Sequence, residues 1–259
     1  MLRIKPKKSL GQHFLIDHNI LDKIARSLEA GPDSPVIEIG PGTGALTQYL
    51  IRHYQDLTVV EVDQRAVEVL HDLFPDLRII SKDILEVEWT DIIINDTPRS
   101  VIGNLPYYLT SPILFKVLDN SLFFREAVFL IQKEVGERIV ARQGTKDYGI
   151  LSVQLQRLAT VKLLFNVSRH AFRPKPDVKS CVIRLQFDKP ALSCSLKNFK
   201  SVVRTAFNQR RKKMSNSLKP LTGDHQLPES VINRRAEELT PLEFEDLALL
   251  LEKQGVLTH

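Results

Sequence analysis

Cysteine is nearly missing from this 259-residue chain, with only Cys181 and Cys194, and no apolar run approaches the length of a membrane span. Cys181 lies in an alternating apolar run and no His/Cys pair has zinc-ligand spacing, so neither a disulfide framework nor a bound metal is expected. The seven histidines are scattered, which leaves them packing and surface roles. The start, Met1 to Lys8, lacks the apolar core of a signal peptide. These absences predict a cytoplasmic protein without membrane or metal attachment; a monomer is also expected. With 43% hydrophobic and 26% charged residues, the chain has enough apolar material for one sizeable domain and a smaller one.

Acid is missing from two stretches. Arg3, Lys5, Lys7 and Lys8 precede the first acid, Asp17, and nine Lys or Arg stand between Lys189 and Gly223 with no acid among them. From Asp224 onward the balance reverses, eight acids against three bases. A net charge of +5 means little when spread evenly; concentrated in this way it is the electrostatic footprint of a phosphate-rich partner.

Glycine is sparse too, yet three of the eleven fall within Gly40-Pro41-Gly42-Thr43-Gly44, after the apolar strand Val36–Ile39. Glycines at that density let the backbone turn sharply and approach a ligand at the end of a strand. Ala45 to His53 continues as helix. Strand Leu57–Val60 then ends in Glu61, at the distance from the glycines where an acid takes ribose hydroxyls. A helix from about Gln64 to Phe74 and a strand from Leu77 to Ile80 follow, and Asp83 lies just past that strand, suited to the amino group of a cofactor adenine. Earlier, an amphipathic helix begins near Asn19 with Ile20, Leu21, Ile24, Ala25 and Leu28 on one face.

The apolar run Val101-Ile102-Gly103 leads into Asn104-Leu105-Pro106-Tyr107. The Asn104 amide oxygen accepts hydrogen bonds, and the Leu-Pro step fixes backbone carbonyls at Leu105 or Pro106 beside it, since proline locks its own φ and biases the residue before it. Two acceptors converging on one point suit an exocyclic amino group such as adenine N6, and Tyr107 adds a flat face for a base drawn out of its stack. The bland alternative is a strand-to-turn segment in which Asn and Pro do turn work alone.

Gly40, Gly42 and Gly44 alternate, unlike the Gly-x-Gly-x-x-Gly of a dinucleotide site. Glu38-Ile-Gly-Pro-Gly-Thr-Gly44, Glu61-Val-Asp63, Asp83 and Asn104-Leu-Pro-Tyr107 resemble the motifs of the ribosomal RNA adenine dimethyltransferases. Lys8-Ser-Leu-Gly-Gln-His-Phe-Leu15 and Ala171-Phe-Arg-Pro-Lys-Pro-Asp-Val178 are similar to that family's flanking motifs, and Phe207-Asn-Gln-Arg-Arg-Lys-Lys213 to its small-subunit branch. The resemblance spans nearly the whole chain. It implies S-adenosylmethionine as methyl donor, with His13 and Leu15 closing over it, Gly40 at its methionine end, Glu61 at the ribose, Asp83 at the adenine, and Asn104 where cofactor meets target. It implies further that Tyr107 stacks on the target adenine, with Tyr108 as a substitute in one role, and that Phe172 closes on the other face.

The expected architecture is α/β, a Rossmann-like class I methyltransferase sheet over residues 1–188 with a small all-helical RNA-docking domain over 189–259. Strand Ala127–Ile131 lies among helices Thr110–Asp119 and Lys133–Arg142, and Val161–Val167 and Val182–Phe187 read as the pair that finishes a seven-stranded sheet. The loop Arg169 to Lys179 is basic and suited to RNA backbone. In the second domain Phe199, Val202, Val203, Ala206 and Phe207 share one helix face, while Lys200, Arg204, Arg210, Arg211, Lys212 and Lys213 are candidates for RNA contact. Thr240-Pro-Leu-Glu243 is a capping box opening a last helix. The predicted substrate is 16S rRNA in the small subunit or its precursor, dimethylated at N6 of two adjacent adenosines near the 3′ end. The competing readings are a large-subunit dimethyltransferase of the antibiotic-resistance type and a non-catalytic nucleic-acid-binding factor on the same fold.

Overall fold

The computed structural model describes residues 4, 5, 7, 11–93, 97–223 and 225–257. Arg3 and Lys8 of the basic start, Ser9 and Leu10 of the first motif, and Asp224 lie outside them. In chain order the elements are β1 (Phe14–Leu15), α1 (His18–Ala25), β2 (Val36–Ile39), α2 (Thr47–Leu50), β3 (Leu57–Glu61), α3 (Gln64–Leu73), β4 (Arg78–Ser81), α4 (Trp89–Ile92), β5 (Arg99–Asn104), α5 (Thr110–Asp119), β6 (Phe124–Gln132) and α6 (Lys133–Ile139). There follow α7 (Ile150–Leu158), β7 (Thr160–Val167), β8 (Phe172–Arg173), β9 (Ser180–Gln186), α8 (Leu196–Asn208), α9 (Met214–Ser217), α10 (Lys219–Thr222), α11 (Glu229–Ile232) and α12 (Pro241–Lys253). Among the described residues no helix is long and apolar enough to cross a membrane.

Seven strands form one sheet in the order β4-β3-β2-β5-β6-β9-β7. The pairs from β4 through β6 are parallel, and β9 runs antiparallel to β6. The chain steps outward from β2 to β4, then returns to β5 on the other side of β2. That reversal opens a crevice at the carboxyl ends of β2 and β5, the place where open α/β sheets bind ligands. Val36, Ile37, Val59, Val101, Ile102 and Ala127 to Ile131 are all but fully buried, as parallel strands covered on both faces require. Gly103 carries no side chain because a Cβ there would stand 2.5 Å from the Ile39 carbonyl oxygen of the neighbouring strand.

The chain divides into two compact units, Met1–Gly136 with Lys162–Phe187, and Glu137–Val161 with Asp188–His259. The expected division at 188/189 lies one residue from the third and last crossing between the units, whereas Glu137–Val161, expected in the first domain, joins the helical unit. Tyr148 and Val153 of that segment are buried in one cluster with Phe199, Val202, Met214, Phe244 and Leu247. The Tyr148 hydroxyl donates to the Leu239 carbonyl at 2.9 Å. In the sheet unit α1 is capped by Asp17, whose carboxylate accepts from the Asn19 and Ile20 amides. In the helical unit α12 has the capping box expected of Thr240 and Glu243. Cys181 and Cys194 are free and buried.

Candidate functional site

One pocket at the carboxyl ends of the parallel strands is lined by His13, Leu15, Gly40, Glu61, Asp83, Asn104, Leu105, Pro106 and Tyr107. These are nine of the ten residues singled out from sequence for cofactor and chemistry. β2 delivers Gly40, whose φ of +67° turns the chain out of the strand. Glu61 is the last residue of β3 and Asn104 the last of β5. Asp83 stands just past the end of β4.

The exception is Phe172. It is 2% exposed, in the core with Leu15, Leu130, Ala171 and Val182, and it does not line the pocket. Pairing of β8 with β1, Leu15 opposite Phe172, draws the ring inward. Arg173, Pro174 and Lys175, which follow it, are exposed.

Asn104 is half-buried and its amide is oriented. Its Nδ2 donates to the His13 carbonyl at 3.1 Å, which leaves Oδ1 as an acceptor. Of the two carbonyls considered as a second acceptor, that of Pro106 is engaged, by the Leu109 amide at 3.0 Å and the Thr110 hydroxyl at 3.3 Å. Among the described residues no donor reaches the Leu105 carbonyl, which leaves it open as an acceptor beside Asn104.

Glu61 is 6% exposed, and three backbone amides hold its carboxylate: Gly42 on Oε2 at 2.9 Å, Val62 at 2.9 Å and Asp63 at 2.8 Å on Oε1. Burial raises its pKa and those three bonds oppose the rise. Oε2, with one bond against two on Oε1, keeps the larger free capacity. Asp83 accepts the Leu85 amide on Oδ1 at 2.9 Å, leaving Oδ2. Val62 and Ile84, next to these acids, line the pocket with apolar surface. The donor set fits S-adenosylmethionine: a glycine turn, one oriented acid per adjacent strand end, and apolar walls for a purine.

Three residues at or beside the pocket stand in the quoted motifs but had no role of their own assigned from sequence. Asp63 receives Gln12 Nε2 at 3.1 Å and Arg65 Nη2 at 2.6 Å, with Lys7 Nζ 3.6 Å away, and so fastens the N-terminal segment across the pocket. The Arg65 guanidinium holds its carboxyl down to about 2. Gln12 is that segment's side of the fastening; its position within a recognised motif was the available signal. Glu38 is the third, a carboxyl 1% exposed inside β2 that accepts from the Thr47 hydroxyl at 2.7 Å. Burial pushes Glu38 up to about 8, beyond what the Thr47 bond recovers, and nearby Glu61 adds to the rise.

A stability test follows for Glu38. Below its ordinary value of 4.5 the carboxyl is protonated in folded and unfolded chains alike; between 4.5 and about 8 only the unfolded chain releases the proton, so rising pH favours unfolding. Glu38→Gln removes the titration and keeps an oxygen for Thr47. Its melting temperature relative to wild type should climb from near equality at acid pH to a plateau above about 8. A difference flat across that range would mean that Glu38 is charged in the folded protein.

In the helical unit, α8 buries Phe199, Val202, Val203 and Ala206, while Arg204 is exposed and Lys200 half-buried. Arg210, expected as an RNA contact, is instead held within the fold: its Nε pairs with Glu237 at 2.7 Å and Nη2 donates to the Thr145 carbonyl at 3.0 Å. Arg211 and Lys212 are exposed, as is Lys213, whose Nζ donates to Asn233 at 3.1 Å.

The family model described as ribosomal RNA adenine dimethylase matches residues 3–253. This chain belongs to that family. A relative named ribosomal RNA small subunit methyltransferase A from Parabacteroides distasonis is 46% identical, covering 98% of this chain and 96% of its own length. Its namesake from Prosthecochloris aestuarii is 43% identical, over 94% and 93%. Among solved structures, a dimethyladenosine transferase from Plasmodium falciparum superposes with a TM-score of 0.80 at 25% identity, over 94% of this chain and 98% of that one. The 23S rRNA methyltransferase ErmE gives 0.65 at 26% identity, over 91% and 99%. The dimethylase family thus accounts for both the class I methyltransferase sheet and the motifs on its strand ends.

Proposed function

We propose that this chain methylates N6 of two adjacent adenosines near the 3′ end of 16S rRNA, giving N6,N6-dimethyladenosine during small-subunit biogenesis, as a monomer in the cytoplasm. The oriented amide of Asn104, in one pocket with Glu61 and Asp83, carries this reading. S-adenosylmethionine, when bound, supplies an electrophilic methyl on a sulfonium. The chain's own work is to prepare the nitrogen. An adenine N6 lone pair is delocalised into the ring and attacks poorly. Asn104 Oδ1 and the Leu105 carbonyl accept its two N–H donors and favour the pyramidal geometry that frees the lone pair, catalysis by positioning and electrostatics. An amide is no base, so the released proton passes to water.

The choice of subunit rests on relatives more than 40% identical that bear small-subunit names. Incubating small and large subunits lacking the modification with labelled S-adenosylmethionine and mapping the methylated base tests it directly. Label in two neighbouring adenosines of 16S rRNA is the expected result. Label in 23S rRNA would favour the large-subunit reading, and binding without transfer the non-catalytic one.

Arg211, Lys212 and Lys213 are the proposed phosphate ligands, with Lys200 and Arg204 on the preceding helix. Deleting one phosphate-binding cation lowers the slope of log affinity against log salt by about 0.7–0.9. Replacing Arg211 and Lys212 with Gln should therefore flatten the slope for small subunits by roughly 1.4–1.8. Arg210→Gln should lower the melting temperature instead, because it breaks the pair with Glu237. An unchanged slope in the first variant would remove this segment from the RNA footprint.

A further inference from the structure

We propose that Ser180 is a positioning residue for methyl transfer, fixing through its hydroxyl the place of the Tyr107 ring on which the target adenine stacks. The inference rests on the reading of Tyr107 as base platform. Ser180 opens β9, opposite Gln132 of β6, and is fully buried. Its Oγ lies 2.7 Å from the Tyr107 hydroxyl, and among the described residues Tyr107 is its one side-chain hydrogen-bond partner. A buried serine hydroxyl facing a tyrosine is costly to leave unpaired from either side, so the bond holds the far end of the ring in place.

The ring is constrained from a second direction. His13 stacks on Tyr107 with centroids 5.7 Å apart and planes 25° from parallel. His13 is itself anchored, its Nδ1 donating to the Pro174 carbonyl at 2.8 Å and its own carbonyl receiving Asn104 Nδ2. One face of Tyr107 is thereby covered and its hydroxyl end pinned, leaving the opposite face for a base. The residue that holds the acceptor amide also holds the platform, which sets the two in fixed relation. Tyr108 is placed otherwise. It is 56% exposed, and its ring lies against the N-terminal segment, 3.1 Å from where a Cβ on Gly11 would stand. Tyr107, not Tyr108, has the fixed plane that a platform needs. Burial also raises the Tyr107 pKa, which keeps the phenol protonated and the hydroxyl pair intact at neutral pH.

The test is a double-mutant cycle on unmethylated small subunits with Ser180→Ala, Tyr107→Phe and both together, reading kcat, KM for each substrate and the ratio of monomethyl to dimethyl product. Each single change should lower kcat by about 3- to 10-fold, the worth of one hydrogen bond, and leave KM for S-adenosylmethionine unchanged. The double variant should be no slower than either single one, since both delete the same bond. The share of monomethyl product should rise in all three. Wild-type kcat in Tyr107→Phe, additive losses in the pair, or losses confined to KM for the cofactor would overturn the proposal. Should Ser180→Ala melt below the assay temperature, Tyr107→Phe alone still decides, because it breaks the bond from the pocket side. Tyr107→Ala separates the underlying reading: full transfer there removes the platform itself, whatever Ser180 does.

Discussion

Asn104→Ala is expected to reduce methyl transfer by at least 100-fold in single turnover while small-subunit binding changes less than twofold. The size follows from what the side chain does. Loss of one preorganised polar group in an oxyanion-type site costs on the order of 100- to 1,000-fold, and in the proposed mechanism Asn104 is one of two acceptors for the N6 donors. The selectivity follows from location: Asn104 is at the end of β5 within the pocket, and the phosphate ligands proposed for affinity lie on α8 and the segment after it. Asn104→Asp sharpens the test. A carboxylate keeps an acceptor but cannot donate to the His13 carbonyl, 3.1 Å from Nδ2 in the wild type, so repulsion would turn it away and the N-terminal segment would loosen. Transfer should fall in both variants, and KM for S-adenosylmethionine should rise more in Asn104→Asp. If subunit binding fell in parallel with transfer in Asn104→Ala, chemistry and docking would not be separable as drawn here.

Most of this pocket was legible because its residues stand at strand ends. A parallel strand buried on both faces reads as an apolar run, and the residue that breaks the run is the one delivered to the carboxyl edge: Gly40 after Val36–Ile39, Glu61 after Leu57–Val60, Asn104 after Val101-Ile102-Gly103. Spacing along the chain therefore reported position in space. Phe172 shows where the inference stops. Whether a loop aromatic faces solvent or core depends on its partner across a two-residue ladder, here Leu15, 157 positions away, and no local pattern encodes that pairing. Arg210 went astray for a related reason. Four consecutive bases look alike in sequence, but Glu237, Thr145 and Lys146 single one of them out for a structural role.

The helix α7 is the largest element that the sequence concealed, and with it the true composition of the helical unit. Its buried face includes Ser152, Gln154 and Arg157, so the apolar periodicity that announces α1 or α8 is interrupted. Part of that face finds partners, since Gly149 N–H donates to Ser152 Oγ at 3.0 Å and Arg157 Nη1 to the Pro190 carbonyl at 3.0 Å, whereas the Gln154 amide has none among the described residues.

Arg157 also carries the largest expected effect on stability. It is 9% exposed and pairs through Nε with Glu245 of α12, which is 1% exposed; Nη1 donates to the Pro190 carbonyl at 3.0 Å and Nη2 to that of Ala191 at 3.3 Å. The Ser193 amide donates to the other Glu245 oxygen at 2.6 Å. Burial acts to raise the Glu245 pKa, but the bonds from Arg157 and Ser193 hold it below its ordinary value. The pair's contribution is accordingly present above the ordinary glutamate range and fades on acidification. Removing one partner strands the other charge in the interior, at a cost of about 3–5 kcal/mol. Glu245→Ala should lose that much in urea unfolding followed on the helical unit, and Arg157→Ala a similar amount. The combination Arg157→Met with Glu245→Leu should recover most of it, because an apolar pair of matching volume has no charge to desolvate. If each single variant lost less than about 1 kcal/mol, as an exposed pair would, these charges would have to be hydrated, and the join between residues 137–161 and the C-terminal helices would depend on apolar packing around Tyr148 and Val153 instead.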